Sequence, residues 1–368
     1  MCSIPPGGTA SFWNRAGDKA RKTAGPESCK AADAGRHGSL LCARSGGGKA
    51  RIEISRGTGK NFSHPVPDAR RVAGKDPDRP EGCVGEISQE ERISSLCGRE
   101  RCADMIGAVI GDIAGSKYEL HNHRSKRFEF LADDCFFTDD TVMTLAVCRA
   151  LLETKDPSLL SGAVVRFMRE IGRQYPHCGY GGAFRAWLFS GDPTPYGSWG
   201  NGAAMRVGGC GIAASSLPEA KALSAAVTGV THNHPEGLKG AEAVAAAVFL
   251  AKTGTPKEEI RALITEQYYP LEFTIGEIRE TYCFSESCQG TVPEALEAFF
   301  ESENFEDAVR TAVSIGGDSD TLAAITGGIA EAYYGVPETL RRRALSFLDE
   351  RLVRILFTFE DKYPPKIL

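Results

Sequence analysis

The chain has 368 residues, 42% hydrophobic and 25% charged, an ordinary globular balance with length enough for one large domain or two smaller ones. A net charge of −5 excludes a globally basic nucleic-acid or anionic-membrane binder. No apolar run approaches the roughly 18 residues of a transmembrane helix, and residues 1–15 lack the apolar stretch of a secretory signal; the expectation is a soluble, monomeric, cytoplasmic protein with no membrane partner.

Residues 1–104 are unlike everything after them. Gly, Ser, Pro, Lys and Arg dominate, as in Ser45-Gly46-Gly47-Gly48-Lys49 and Pro77-Asp78-Arg79-Pro80, and long apolar periodicity is missing. Such a segment buries too little apolar surface to offset its ordering entropy and is expected to be disordered. Its basic first half fits a transit peptide or an electrostatic tail. Met105, opening the apolar run Met105-Ile106-Gly107-Ala108-Val109-Ile110, equally fits a true initiator with an over-extended upstream frame. Gly46-Gly47-Gly48-Lys49 lacks the rest of a phosphate loop. The 12 cysteines include the pairs Cys97/Cys102 and Cys283/Cys288 but no Cys-x2-Cys, so zinc is not indicated. Cys135, Cys148 and Cys210 lie among apolar or small residues and read as packed free thiols.

From Met105 onward, as residues 105–368, the pattern is helical. Gly111-Asp112-Ile113-Ala114-Gly115 carries two glycines four apart, suited to close helix–helix approach, with Glu119 just beyond; alone, Glu119 reads as a surface residue. Val142, Leu145, Ala146 and Leu152 recur at helical spacing behind Asp139-Asp140. Pro235 opens the Ala/Val-rich helix that contains residues 241–250. Val292, Leu296, Phe299 and Phe300 form another stripe, followed by residues 305–315. Leu322, Ile325, Ile329 and Tyr333 make an apolar face that stops at Gly335 and Pro337. Strand-like alternation is scarce. The fold class is all-α, an orthogonal multi-helix bundle behind a disordered N-terminal segment.

Two acidic motifs stand out: Phe137-Thr138-Asp139-Asp140-Thr141 and Gly316-Gly317-Asp318-Ser319-Asp320-Thr321. Asp, Ser and Thr are good N-caps, so one such motif is ordinarily a cap. Two motifs, each doubly acidic and each leading into an apolar helix, exceed what capping needs. Carboxylates brought together would repel by about 4 kcal/mol per pair at roughly 4 Å and an effective dielectric of about 20. An all-oxygen donor set points to Mg²⁺, Mn²⁺ or Ca²⁺, and two ions would suit hydrolysis.

Gly111-Asp112-x-x-Gly115 with Glu119, Thr138-Asp139-Asp140-Thr141 and Gly317-Asp318-Ser319-Asp320-Thr321 together resemble the ADP-ribosylglycohydrolase family from Met105 to about Pro337. The resemblance implies an all-α orthogonal bundle with a cleft holding two Mg²⁺ (or Mn²⁺), ligated by Thr138, Asp139, Asp140, Asp318, Asp320 and Thr321. It makes Glu119 the catalytic glutamate, assisted by an aspartate, Asp318. It also implies release of ADP-ribose from a protein side chain or a small conjugate, with nucleic-acid-linked ADP-ribose open as well. The acceptor (arginine, serine, a base or O-acetyl-ADP-ribose) is not readable.

Residues 196–206, Tyr196-Gly197-Ser198-Trp199-Gly200-Asn201-Gly202-Ala203-Ala204-Met205-Arg206, read as a Gly-rich loop feeding a helix, an anion site in principle and a flexible turn otherwise. The resemblance assigns Gly197, Ser198, Trp199, Gly200 and Asn201 to the diphosphate and distal ribose, with Trp199 where the family commonly has Tyr. Gly181, in Gly179-Tyr180-Gly181-Gly182, is a second loop contact. His232 faces ADP-ribose by the same resemblance, and His234 reads as structural. The competing classes are an ADP-ribose reader or immunity protein without turnover, and another binuclear-metal hydrolase of nucleotide-like substrates.

Overall fold

The structure, a computed structural model, describes residues 105–364. The expectations for residues 1–104, Cys97/Cys102 included, lie outside the described residues. Among those described there are fourteen α-helices and no strand; one isolated antiparallel bridge pairs Gly200 with Ser287.

Two antiparallel helices form the centre. In α1 (Ile106–Ser116) every residue is buried, and in α12 (Ser319–Tyr334) burial is unbroken from Ser319 to Glu331. Such contact requires a face without side chains. Gly107, Gly111 and Gly115 recur every four residues, one ridge of the helix, against Gly327 and Glu331, then Ala323 and Ala324, then Ser319 and Asp320. A Cβ at Gly111 would lie 2.7 Å from the Ala324 nitrogen, closer than packed atoms come. The antiparallel run sets the C-terminal end of α1 beside the N-terminal end of α12. At the other end, the buried Glu331 carboxylate accepts from the amides of Ile106 (3.2 Å) and Gly107 (2.6 Å), capping α1 from across the interface.

The remaining helices pack on this pair or on one another. They are α2 (Asp139–Glu153), α3 (Pro157–Gly172), α4 (Gly182–Phe189), α5 (Gly208–Ala213), α6 (Leu217–Thr228), α7 (Pro235–Lys252) and α8 (Lys257–Gln267). The C-terminal half adds α9 (Ile275–Ile278), α10 (Val292–Phe300), α11 (Phe305–Val313), α13 (Glu338–Leu345) and α14 (Glu350–Lys362). The apolar stripes behind Asp139, Pro235, Val292, Phe305 and Asp318 all fall on helices with their apolar positions inward. α12 ends at Tyr334, where Gly335 takes φ +72°, a left-handed conformation that suits glycine. Cys135, Cys148 and Cys210 are buried free thiols. No helix of the described residues is long and apolar enough to cross a membrane.

Candidate active site

Both acidic motifs sit on helix starts that α1 brings together. Asp112, the one carboxylate in α1, is fully buried and accepts from Thr138 N (2.9 Å), Thr138 Oγ1 (2.8 Å) and Thr141 N (3.0 Å). It thereby fixes the first turn of α2, whose Thr138 cap also accepts from Asp140 N at 3.3 Å. Asp139 N donates to Cys178 O at 2.7 Å. Gly179, at φ +96°, lies so close that a Cβ there would be 3.2 Å from Asp139 Oδ1.

The second motif enters through Gly316 (φ +73°) and Gly317 (φ +71°), a left-handed pair that side-chain-bearing residues rarely adopt. Asn122 Oδ1 accepts from Gly317 N (3.0 Å) and from Arg124 Nη2 (2.9 Å). Arg124 also donates to the carbonyls of Ile315, Arg279 and Tyr282. This one guanidinium ties the double-glycine turn to the segment leading to Phe284 and Glu286. Thr321 Oγ1 donates to Asp140 Oδ2 at 3.2 Å, joining the two motifs, and Asn201 Nδ2 donates to Asp318 Oδ2 at 2.6 Å. Carboxylate oxygens of Glu119, Asp318 and Asp320 lie within 4.8 Å of one another.

The capping explanation accounts for little of this. Thr138 caps α2, whereas Asp318 makes no side-chain cap bond to α12. Asp140 Oδ1 is buried with no hydrogen-bond partner, a state that costs about 1–3 kcal/mol or more unless something fills it. Among the described residues, none of Asp112, Glu119, Asp139, Asp140, Asp318 and Asp320 forms an ion pair. Burial pushes Asp112 up to about 6, against the hydrogen bonds from Thr138 and Thr141. Burial, with the Asp112 charge next, pushes Asp139 up to about 8. Asp140, Asp318 and Asp320 are also raised, chiefly by burial. Glu119, half-buried, is raised by burial and then by Asp318. Crowded oxygens, one unpartnered carboxylate oxygen and no Lys or Arg partner among the described residues fit hard divalent ions, whose charge would favour the ionised form of the carboxylates that hold them.

The cluster floors a cavity of about 630 Å³. Its lining includes Glu119, Thr138, Asp139, Asp140, Asp318, Asp320 and Thr321, together with Gly181, Ser198, Gly200, Asn201 and His232. Gly197 and Trp199 are not on that wall: Gly197 N donates to Asn233 Oδ1 (2.8 Å), and the half-exposed Trp199 ring rests 5.3 Å from that of His234. His234 caps α7, accepting from Glu236 N at 3.2 Å. The Gly-rich loop does not feed a helix start. It enters a short 3₁₀ turn (Asn201–Ala203), and the next α-helix begins at Gly208. The amides are spent elsewhere: Asn201 N on Glu286 O of a distant segment (2.7 Å), Gly200 N on Ser198 Oγ (3.1 Å) and Ala203 N on Gly200 O (3.1 Å).

Two residues that touch the site carry signals the sequence reading passed over. Asp112 is a lone carboxylate inside an apolar helix, a position tolerated only when hydrogen-bonded. Arg206 follows Ala203-Ala204-Met205, a run of small and apolar residues, and its side chain is buried against the cavity wall. The lining aromatics Phe136, Phe284 and Phe347 come from three distant segments and have no shared local signature.

The fold and the site together describe an all-α bundle with an all-oxygen acidic cluster, a donor set suited to hard cations, lining one cavity. The chain belongs to the ADP-ribosylglycohydrolase family, whose model matches residues 99–360; it is a glycosidic-bond hydrolase. It is 27% identical to ADP-ribosylhydrolase ARH3 of Mus musculus, covering 66% of this chain and 86% of the relative. It is 29% identical to ADP-ribosylarginine hydrolase Tri1 of Pseudomonas putida, covering 69% and 76%. A solved ADP-ribosylglycohydrolase-related protein complex superposes with a TM-score of 0.52 at 26% identity, covering 70% of this chain and 95% of that one.

Proposed function

We propose that residues 105–368 form the catalytic domain of a monomeric cytoplasmic enzyme that cleaves the C1″ bond between ADP-ribose and a protein side chain or small conjugate, with two Mg²⁺ or Mn²⁺ as cofactors. The observation that carries the metal reading is the unpartnered Asp140 Oδ1 within a carboxylate cluster that lines the cavity and has no ion pair among the described residues. Thr138, Asp139, Asp140, Asp318, Asp320 and Thr321 would hold the ions, which when bound supply positive charge for the ribose hydroxyls and an attacking water. Glu119 is the half-buried carboxylate on the cavity wall, raised by burial and then by Asp318, and it is the group placed to activate the water or manage the leaving-group proton. Asp318, held by Asn201, assists it. Cleavage at an anomeric carbon passes through an oxocarbenium-like state, which such a carboxylate pair stabilises. Ser198, Gly200, Asn201, His232 and Gly181 bound the space left for the rest of ADP-ribose.

The test is turnover of defined conjugates (arginine-, serine-, base-linked and O-acetyl-ADP-ribose) with Mg²⁺ or Mn²⁺, reading free ADP-ribose. Chelator and Asp318→Asn should each lower the rate by about 100-fold or more, as loss of a group that assembles the transition state does. Unchanged ADP-ribose release in the chelated protein and in D318N refutes the proposal.

A further inference from the structure

His232 has an uncommonly well determined environment. The ring is buried, as are its neighbours Thr231 and Arg206. Arg206 Nη2 lies 2.6 Å from Thr231 Oγ1 and 3.2 Å from His232 Nδ1, and Thr231 Oγ1 lies 2.7 Å from the same Nδ1. A guanidinium carries donors only and keeps its proton under all protein conditions. The hydrogen between Nη2 and Nδ1 therefore belongs to arginine, and a proton on Nδ1 would set donor against donor. The Thr231 hydroxyl, which accepts from Arg206, is free to donate its own hydrogen to that lone pair, so the arginine sets the demand and the threonine accommodates it.

We infer that Arg206 is a positioning residue that locks His232 as the neutral tautomer with its hydrogen on Nε2, a fixed donor toward the cavity. Nε2 faces Gly200 and Gly202: a Cβ at either would lie 3.5 Å from it, so the two glycines keep that nitrogen accessible. All three residues line the cavity. The bound partner of Nε2 is accordingly an acceptor oxygen, from a phosphate or a hydroxyl, and not an amine. Proton transfer stays with the carboxylates. The groups facing the ring agree: Tyr196, with its ring centre 5.9 Å away, and the Arg206 cation. Burial first, and Arg206 second, hold the imidazole down to about 2. Lysine would serve only in part: it could offer donors to the two acceptors that Nη2 reaches, but not the guanidinium plane, whose carbon lies 5.8 Å over the centre of Phe184.

The identity of the oxygen rests on the ADP-ribose reading above; the tautomer does not. The decisive measurement is a long-range proton–nitrogen NMR spectrum of the full chain labelled at its 7 histidines, with Mg²⁺, the His232 signals assigned by their loss in His232→Gln. Wild type should show one neutral tautomer, Nε2 protonated and Nδ1 bare, unchanged from about pH 5 to about pH 8.5, a range across which an ordinary histidine titrates. An Nδ1-protonated or mixed pattern, or titration in that window, overturns the inference. In Arg206→Met the pattern should become mixed and ADP-ribose affinity should fall roughly tenfold; in Arg206→Lys the tautomer should recover in part. An unchanged spectrum in R206M refutes the role of Arg206. If R206M does not fold, Thr231→Val decides, because it keeps the arginine contact alone: a retained Nε2–H tautomer supports the lock, and a lost one assigns it to Thr231 instead. These spectra need no substrate, so failure of the activity reading and failure of this one are separable.

Discussion

Gly115→Ala tests whether the glycine ridge of α1 sets the site. The added Cβ would lie 2.5 Å from Asp320 Cα and 2.6 Å from Asp320 N, backbone atoms that cannot rotate away. Ordinary contact begins near 3.4 Å, so α12 must shift by on the order of 1 Å, carrying a proposed metal ligand with it. Overpacking of this kind costs about 1–3 kcal/mol, and backbone against backbone belongs at the upper end. The better helix propensity of alanine returns about 1 kcal/mol, leaving roughly 2 kcal/mol, or a melting temperature about 4–8 °C lower at this size. Displacing Asp320 should also weaken metal affinity about tenfold or more, removing about 1.4 kcal/mol from the stabilisation that saturating Mn²⁺ provides. The assay is thermal and urea unfolding with chelator and with Mn²⁺. Gly162→Ala is the control: it is an exposed helical position where a Cβ meets nothing within 4 Å, and it should gain about 0.5–1 kcal/mol. Wild-type midpoints for G115A, both with and without Mn²⁺, would refute the reasoning.

The metal-free protein should lose stability as pH rises. Asp112 and Asp139 start from 3.8 and are raised to about 6 and about 8 on folding, so their contribution is fully present below about pH 4 and disappears through that window. Urea midpoints in chelator should therefore fall from about pH 5 to about pH 8.5, and Mn²⁺ should reverse the trend, since ions displace protons from the same oxygens. A flat or rising metal-free profile contradicts the burial of these carboxylates as acids. Arg124→Ala removes the donor shared by the Ile315, Arg279 and Tyr282 carbonyls and should cost about 2–4 kcal/mol by urea unfolding. It should also lower metal affinity, because the Gly316-Gly317 turn then loses its tether. Arg124→Lys should restore only part of both, and a wild-type denaturation curve for R124A rules the tether out.

Local chemistry explains which parts of the molecule were legible beforehand. The helices behind Asp139, Pro235, Val292, Phe305 and Asp318 announce themselves because each apolar stripe is a property of one segment and one period. The acidic motifs were legible for a related reason: more carboxylates than a cap needs is an excess countable within five or six residues. Trp199 shows that adjacency in a loop does not fix direction: its ring turns to His234 while Ser198 and Gly200, on either side, line the cavity. The helix expected after the Gly-rich loop failed because Asn201 donates to Glu286 and Asp318, residues 85 and 117 positions away, rather than to its own turn.

By itself the sequence determined an all-α chain and two acidic helix starts that call for cations. Only the tertiary structure decided that the two starts share one floor, that Asp112 holds one of them while Asn122 and Arg124 hold the other, and that Arg206 dictates which nitrogen of His232 bears hydrogen. The physical reason is range. A helix or a cap is settled by neighbours three or four residues apart, whereas charge repulsion, buried donors and backbone-to-backbone contact depend on segments that meet only when α1 and α12 close on a face of glycine.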